Sequence, residues 1–189
     1  MKHRLFIAIT VPPALHPDIT KLQTTLSSIG PDITWEPSEK LHLTLNFIGR
    51  TDQDMVSQLI RLLQKELAGL PAFSITPAFL ETLYRRHELS LVYLGIGGDV
   101  EALKQLQKTL GATLSTLTLP QQTRFLPHIL IGHLPKSDPV TIKRLLGQVD
   151  DLEIQPLPKF TVDKVALFES LVSKSGSTYQ KLVEFALMP

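Results

Sequence analysis

The chain alternates short apolar runs with longer segments whose apolar residues recur every three or four positions, and this alternation lays out its elements. LFIAITV, Leu5 to Val11, is a continuous apolar run of strand length. Beyond Pro12–Pro13, residues Ile19, Leu22, Leu26 and Ile29 fall at helical spacing, and Gly30–Pro31 ends that helix. LHLTLNFIG is the next strand. A second helix follows, with Thr51 and Asp52 able to cap it, a stripe of Val56, Leu59, Ile60, Leu63 and Leu67, and Gly69 able to end it. PAFSITPAFLETL and ELSLVYLGI read as two strands joined through YRRH. GGDVEALKQLQKTLG is a third helix capped by Asp99, with Val100, Leu103, Leu106 and Leu110 facing inward. RFLPHILIG is a further strand, and SDPVTIKRLLGQV a fourth helix with Asp138 at its cap and Pro139 in its first turn. FTVDKVALFES, LVSKSGS and TYQKLVEFALM form a closing β-hairpin with a flexible loop.

The order strand, helix, histidine-bearing strand, helix occurs early and again late. That predicts two similar halves facing each other in an α+β architecture, antiparallel sheets with helices on their outer faces. At 189 residues the chain is one large domain or two small lobes sharing a core.

Composition narrows the function classes. With 43% hydrophobic and 20% charged residues the chain is an ordinary globular one. It has no cysteine, which excludes a disulfide scaffold, cysteine-ligated zinc and thiol catalysis, and fits a cytoplasmic setting. A net charge of +1 gives no strong basic field for long duplex nucleic acid, yet allows a small ligand or a nucleic-acid end. MKHRLFIAITVPP mimics a signal peptide, but it stops at Pro12–Pro13 without a small-residue cleavage site, so it reads as a strand. No run approaches the roughly 18 apolar residues of a membrane span.

Candidate chemistry lies on the two histidine strands. In His42-Leu43-Thr44-Leu45, alternation puts His42 and Thr44 on one face and the leucines on the other. In PHILIG, His128 and Leu130 share a face opposite Ile129 and Ile131. A lone histidine in an apolar strand is more often structural than catalytic. Two on facing strands can instead form a general acid and base pair, one protonated and one neutral, because imidazole titrates near ~6.5.

These tetrads, with RLFIAI, LHLTLNFIG, LVYLGI, FLPHILIG and VALFES…GSTYQKLVEFAL in order, resemble the two-histidine (2H) phosphoesterases, specifically the RNA 2′,3′-cyclic phosphodiesterases once called 2′-5′ RNA ligases. The resemblance covers nearly the whole chain. It implies one bilobal domain over residues 1–189, with the histidine strands side by side in a central cleft. It also implies metal-independent hydrolysis of a ribose 2′,3′-cyclic phosphate to a 2′-phosphate. His42 would be the general acid and His128 the general base; Thr44 would donate to a phosphate oxygen and Phe47 would stack on the base. Run in reverse, with a 5′-hydroxyl as nucleophile, the pair would make a 2′-5′ linkage. No cofactor is implied. The partners would be RNA ends or small cyclic nucleotides, with no membrane and no obligatory protein partner, for a monomer.

Two positions depart from the family pattern. Leu130 stands where the second hydroxyl is expected, and His133 where an arginine is common. His133 is an odd step from His128 and faces away on an unbroken strand; a bulge near Gly132 would turn it into the cleft. Arg124 and Tyr179 are other substitutes for the missing donor. Leu130 also keeps open a second class of function, an RNA-end binding protein with little or no turnover. Phe47 has a core alternative, since it lies opposite His42 if the strand stays regular. Trp35 is expected under the first histidine strand, His3 and His16 on the surface, and Arg85–Arg86 with His87 in a solvated turn. No G-x-x-x-x-G-K-[ST] loop supports an ATP-dependent ligase, and no HExxH or carboxylate cluster supports a histidine metal site.

Overall fold

A computed structural model describes residues 2–28, 33–84, 90–122, 124–134, 139–173 and 176–189. Ile29 and Gly30–Pro31, Arg85–Arg86 with His87, the expected Asp138 cap and part of the expected hairpin loop, Lys174–Ser175, lie outside them. The elements in order are β1 (Lys2–Thr10), α1 (His16–Leu26), β2 (Thr34–Trp35), β3 (His42–Asp52), α2 (Gln53–Leu67), β4 (Phe73–Leu83) and β5 (Ser90–Gly98). There follow α3 (Val100–Thr116), β6 (His128–Leu134), α4 (Pro139–Asp150), β7 (Phe160–Val162), β8 (Lys164–Ser173) and β9 (Gly176–Ala186).

The strands pair as β7-β4-β5-β6-β3-β1-β8-β9, with β2 added to β6, and every pairing between them is antiparallel. The order has a pseudo-two-fold at its centre: β3 answers β6, β1 answers β5, and β8–β9 answer β4–β7. The early and late strand–helix–histidine-strand–helix runs are therefore the two halves. The two expected sheet lobes meet at the histidine strands, where β3 pairs with β6 and makes the sheet continuous. At that junction Leu43 stands opposite Ile129.

One side of the sheet carries the core. Leu5, Ile7 and Ile9 of β1, Leu43 and Leu45 of β3, and Ile129 and Ile131 of β6 are buried there with Leu59, Leu63 and Leu67 of α2 and Leu103, Leu106 and Leu110 of α3. The cluster runs through both halves, which therefore share one continuous apolar core.

Local signals acted as their chemistry requires, with exceptions. Asp99 caps α3, its Oδ1 accepting the Ala102 N–H at 3.1 Å. Asp52 occupies the cap position of α2 without a side-chain hydrogen bond. Gly111 does not end α3; the helix runs on to Thr116, and a Cβ at Gly111 would lie 3.2 Å from the end of the exposed Gln121 side chain. Trp35 lies over β6 rather than under β3: β2 pairs with β6, and a Cβ at Gly132 would meet the Trp35 ring at 2.7 Å. His3 is not a free surface residue, since its Nδ1 meets Glu169 at 2.8 Å and its Nε2 meets Gln53 at 2.5 Å. His16 reaches the Val11 carbonyl at 3.2 Å. Among the described residues, no helix is long and apolar enough to cross a membrane.

Candidate active site

The candidate residues lie on the face of the sheet away from the core. Extending the Leu43–Ile129 register by one residue sets Thr44 across from His128 and His42 across from Leu130. The two histidines are then diagonal neighbours on adjacent strands, a spacing of about 7–8 Å.

Their seats match. His42 Nδ1 lies 2.6 Å from the Lys40 carbonyl, and His128 Nδ1 lies 2.7 Å from the Leu126 carbonyl, two residues back in each case. A carbonyl only accepts, so each Nδ1 carries the proton and donates it, leaving Nε2 as the nitrogen for acid–base work. Each ring also meets a tyrosine edge-on, His42 with Tyr179 and His128 with Tyr93, both at 5.2 Å. Thr44 Oγ1 sits 3.1 Å from His42 Nε2. At the matching place beside His128 stands Leu130, half-buried and absent from the core cluster, so its side chain belongs to the cleft face.

Bulges decide what else reaches this face. In β3 the pairing with β1 slips between Asn46 and Thr44, leaving Leu45 as the extra residue. The slip restores Phe47 to the side of His42: it pairs with Phe6, lies 6.1 Å from that ring and is 59% exposed. The core alternative for Phe47 is thereby removed. In β6 the same device acts at Ile131, skipped between the Tyr93–Leu130 and Val92–Gly132 pairs, and it turns His133 to the side of His128.

There His133 Nε2 meets Glu36 Oε1 at 2.8 Å. Glu36 is fixed by its own backbone, whose N–H donates to the Ile131 carbonyl at 2.9 Å. Buried Gln23 of α1 adds bonds from its amide to the Glu36 carbonyl at 2.9 Å and the Ile131 carbonyl at 3.0 Å. Tyr179 stands over Phe6 and His42, and a cavity of about 190 Å³ lined by Lys40, His42, Phe168, Tyr179 and Lys181 opens beside it. Arg124 is exposed in the loop before His128, and its guanidinium has no described hydrogen bond or ion pair.

The electrostatics tie these groups together. Burial holds His42 below its ordinary pKa of 6.5, and the nearby His128 charge acts in the same direction; the Lys40 carbonyl and the Glu36 carboxylate oppose them. The hydrogen bond from His133 holds Glu36 below the usual carboxylate range against desolvation. Burial, then Glu36, pushes the Tyr179 phenol up, while Arg4 opposes. Among the described residues, no group of three or more His, Asp or Glu side chains is placed to hold a metal ion.

Of the residues expected from sequence, His42, His128, Thr44, Phe47, His133 and Tyr179 share this face, and Arg124 stays at its margin. Glu36, Gln23, Tyr93 and Phe6 were not anticipated. Tyr93 had a faint signal, two residues before Gly95 on one strand face. Glu36 had none, because its partner is 97 positions away.

A family model described as the 2′-5′ RNA ligase superfamily matches residues 11–173. An RNA 2′,3′-cyclic phosphodiesterase of Thermotoga maritima is 28% identical over 181 residues, covering 96% of this chain and 94% of that protein. One from Methanothermobacter thermautotrophicus is 23% identical, covering 99% and 100%. Among solved structures, E. coli LigT complexed with 3′-AMP superposes with a TM-score of 0.79 at 22% identity over 100% of both chains. Thermus thermophilus TT0787 gives 0.75 at 20% identity over 97% of both. Two histidine strands joined at the centre of one antiparallel sheet, in a chain matched along most of its length, make this protein a member of the 2′-5′ RNA ligase superfamily.

Proposed function

We propose that this chain is a metal-independent RNA 2′,3′-cyclic phosphodiesterase, hydrolysing cyclic phosphates at RNA ends or in small nucleotides to 2′-phosphates. The observation that carries the reading is the matched seating of His42 and His128 on one face of the sheet, each with Nδ1 committed to the backbone carbonyl two residues back. Relatives of nearly equal length that bear this activity's name support it.

In the forward step His128 Nε2 takes a proton from water as its oxygen bonds to phosphorus. The P–O3′ bond breaks, and His42 Nε2 gives its proton to O3′. Proton exchange with solvent then resets the pair. Thr44 donates to a phosphate oxygen, and Tyr179 supplies a second hydroxyl from above His42. His133, while protonated, adds positive charge that it shares with Glu36. Phe47 offers a face to the base, and Arg124 can approach the RNA backbone from the margin. Glu36 works indirectly, favouring the charged form of His42 against the desolvation that favours the neutral one; the substrate's own negative charge acts in the same direction. The reading requires no cofactor or protein partner, and it takes residues 1–189 as one bilobal unit.

Leu130 favours a second reading, an RNA-end binding protein with little turnover, because leucine donates nothing to a phosphate. Purified protein in EDTA with 2′,3′-cyclic AMP and a cyclic-ended RNA separates the two. The proposal expects 2′-phosphate product that is lost in both His42→Ala and His128→Ala. Tight binding without turnover between pH 5 and 8 would establish the binder.

A further inference from the structure

Phe79 of β4 is an exposed aromatic side chain in an unusual setting. It is 44% exposed, and a Cβ built on its β5 partner Gly95 would lie 2.0 Å from its ring. The ring therefore rests directly on the Gly95 backbone. Gly95 does not have positive φ, so it is the aromatic ring and not a turn that requires the missing side chain.

Gly95 in turn pairs with His128. Paired residues point to one face, so Phe79, Gly95 and His128 form a row across the cleft side of the sheet. The ring stands one strand spacing, about 4.8 Å, from the His128 position. Tyr93, two residues along β5, closes the corner by meeting the His128 ring and donating its hydroxyl to Glu81 at 2.6 Å. Nothing in the hydrolytic step uses this platform. The cyclic nucleotide's ribose leaves towards His42, and its base is assigned to Phe47 in the other half.

We propose that Phe79 is the stacking platform for the base of a second nucleoside, the one whose 5′-hydroxyl takes the place of water at His128. This rests on the acid–base roles proposed above. His128 removes the proton from the 5′-hydroxyl, O5′ bonds to phosphorus, the P–O3′ bond breaks, and His42 protonates O3′. The product is a 2′-5′ phosphodiester with a free 3′-hydroxyl, and no proton is gained or lost overall. A flat, solvent-facing ring beside the base catalyst suits this occupant: stacking tolerates any base, and the short span to His128 is that of one ribose. Glu81, on the same face two residues from Phe79, offers an acceptor for a ribose hydroxyl.

The test supplies a cyclic-ended RNA donor and increasing concentrations of a 5′-hydroxyl oligoribonucleotide, and measures 2′-5′-ligated against hydrolysed product. Phe79→Leu is expected to lower the ligated-to-hydrolysed ratio roughly tenfold by raising the acceptor concentration needed. Phe79→Trp, which keeps a stacking face, is expected to hold or raise it. A leucine variant with the wild-type ratio overturns the proposal, as does a tryptophan variant that behaves like leucine. Wild-type protein that hydrolyses the donor but never ligates overturns it too and leaves the hydrolytic reading standing. Wild-type protein without any turnover removes both.

Discussion

Replacing Leu130 with threonine should make the protein a faster enzyme at little structural cost. The first half supplies the template: Thr44 Oγ1 lies 3.1 Å from His42 Nε2, on the same strand face two residues on. Leu130 holds the same relation to His128, so a threonine there brings a hydroxyl to that side of the phosphate. A hydrogen bond to a charged group contributes about 1.5–3 kcal/mol. The position is half-buried and water competes, which brings the gain below that range, to about 1–1.5 kcal/mol. That corresponds to roughly five- to tenfold in kcat/KM. The cost is the apolar contact of a half-buried leucine outside the core cluster, about 1 kcal/mol of stability and a few degrees in Tm. Leu130→Val is the control, because it has the shape of threonine without the hydroxyl. Initial rates on 2′,3′-cyclic AMP for the wild type, Leu130→Thr and Leu130→Val decide the matter. A threonine variant no faster than the valine variant would falsify the argument that a missing donor limits this site.

Glu36→Gln removes a charge that favours protonated His42, so the alkaline limb of the pH–rate profile should move to lower pH, read from kcat/KM across pH 5 to 9. In a double-mutant cycle, His133→Arg combined with Glu36→Gln should exceed the product of the single effects on kcat/KM by about threefold or more, because the carboxylate no longer captures the guanidinium; additive effects would show that Glu36 does not govern residue 133. His42 is held below 6.5 in the folded state, so the unfolded chain binds its proton first as pH falls. Its stabilising contribution is thus present above that value and lost below it, and urea midpoints should fall less between pH 7 and 5 in His42→Asn than in the wild type. Asn46 is fully buried in β3 with neither amide atom hydrogen-bonded among the described residues, so Asn46→Leu should raise the unfolding free energy by about 1–2 kcal/mol in urea titration.

What could be read from the sequence was whatever repeats at short range. Alternation in HLTL and HILI assigned the cleft and core faces, the Leu stripes marked the helices, and the recurrence of strand, helix and histidine strand gave the two halves. The missing hydroxyl at Leu130 was also evident, because it is a property of one residue. What escaped depends on long-range register. The Glu36–His133 pair forms only because β2 is laid along β6, and β2 is two residues long with no periodicity to betray it. Trp35 was misplaced for the same reason, since its neighbour Gly132 lies far along the chain. The register of the β3–β6 junction, which joins the two sheet lobes, rests on a pairing between the halves that neither half's pattern contains.

The bulges explain how a symmetric scaffold carries asymmetric chemistry. On an unbroken strand a residue five positions after a histidine points to the opposite face, so Phe47 and His133 would both enter the core. One extra residue, Leu45 in β3 and Ile131 in β6, returns each to the cleft. The two halves thus present the same set of places: a histidine, the residue two after it, and the residue five after it. The first half fills them with His42, Thr44 and an exposed aromatic ring. The second fills them with His128, Leu130 and an imidazole paired to a carboxylate. The bulged residues are buried in the shared core, whereas the residues they redirect are not, so backbone geometry and recognition chemistry are set by different side chains. Substitution at 47, 130 or 133 can therefore change the lining of the cleft without moving either histidine. A change at Leu45 or Ile131 cannot, because it disturbs the core and the aim of the cleft together.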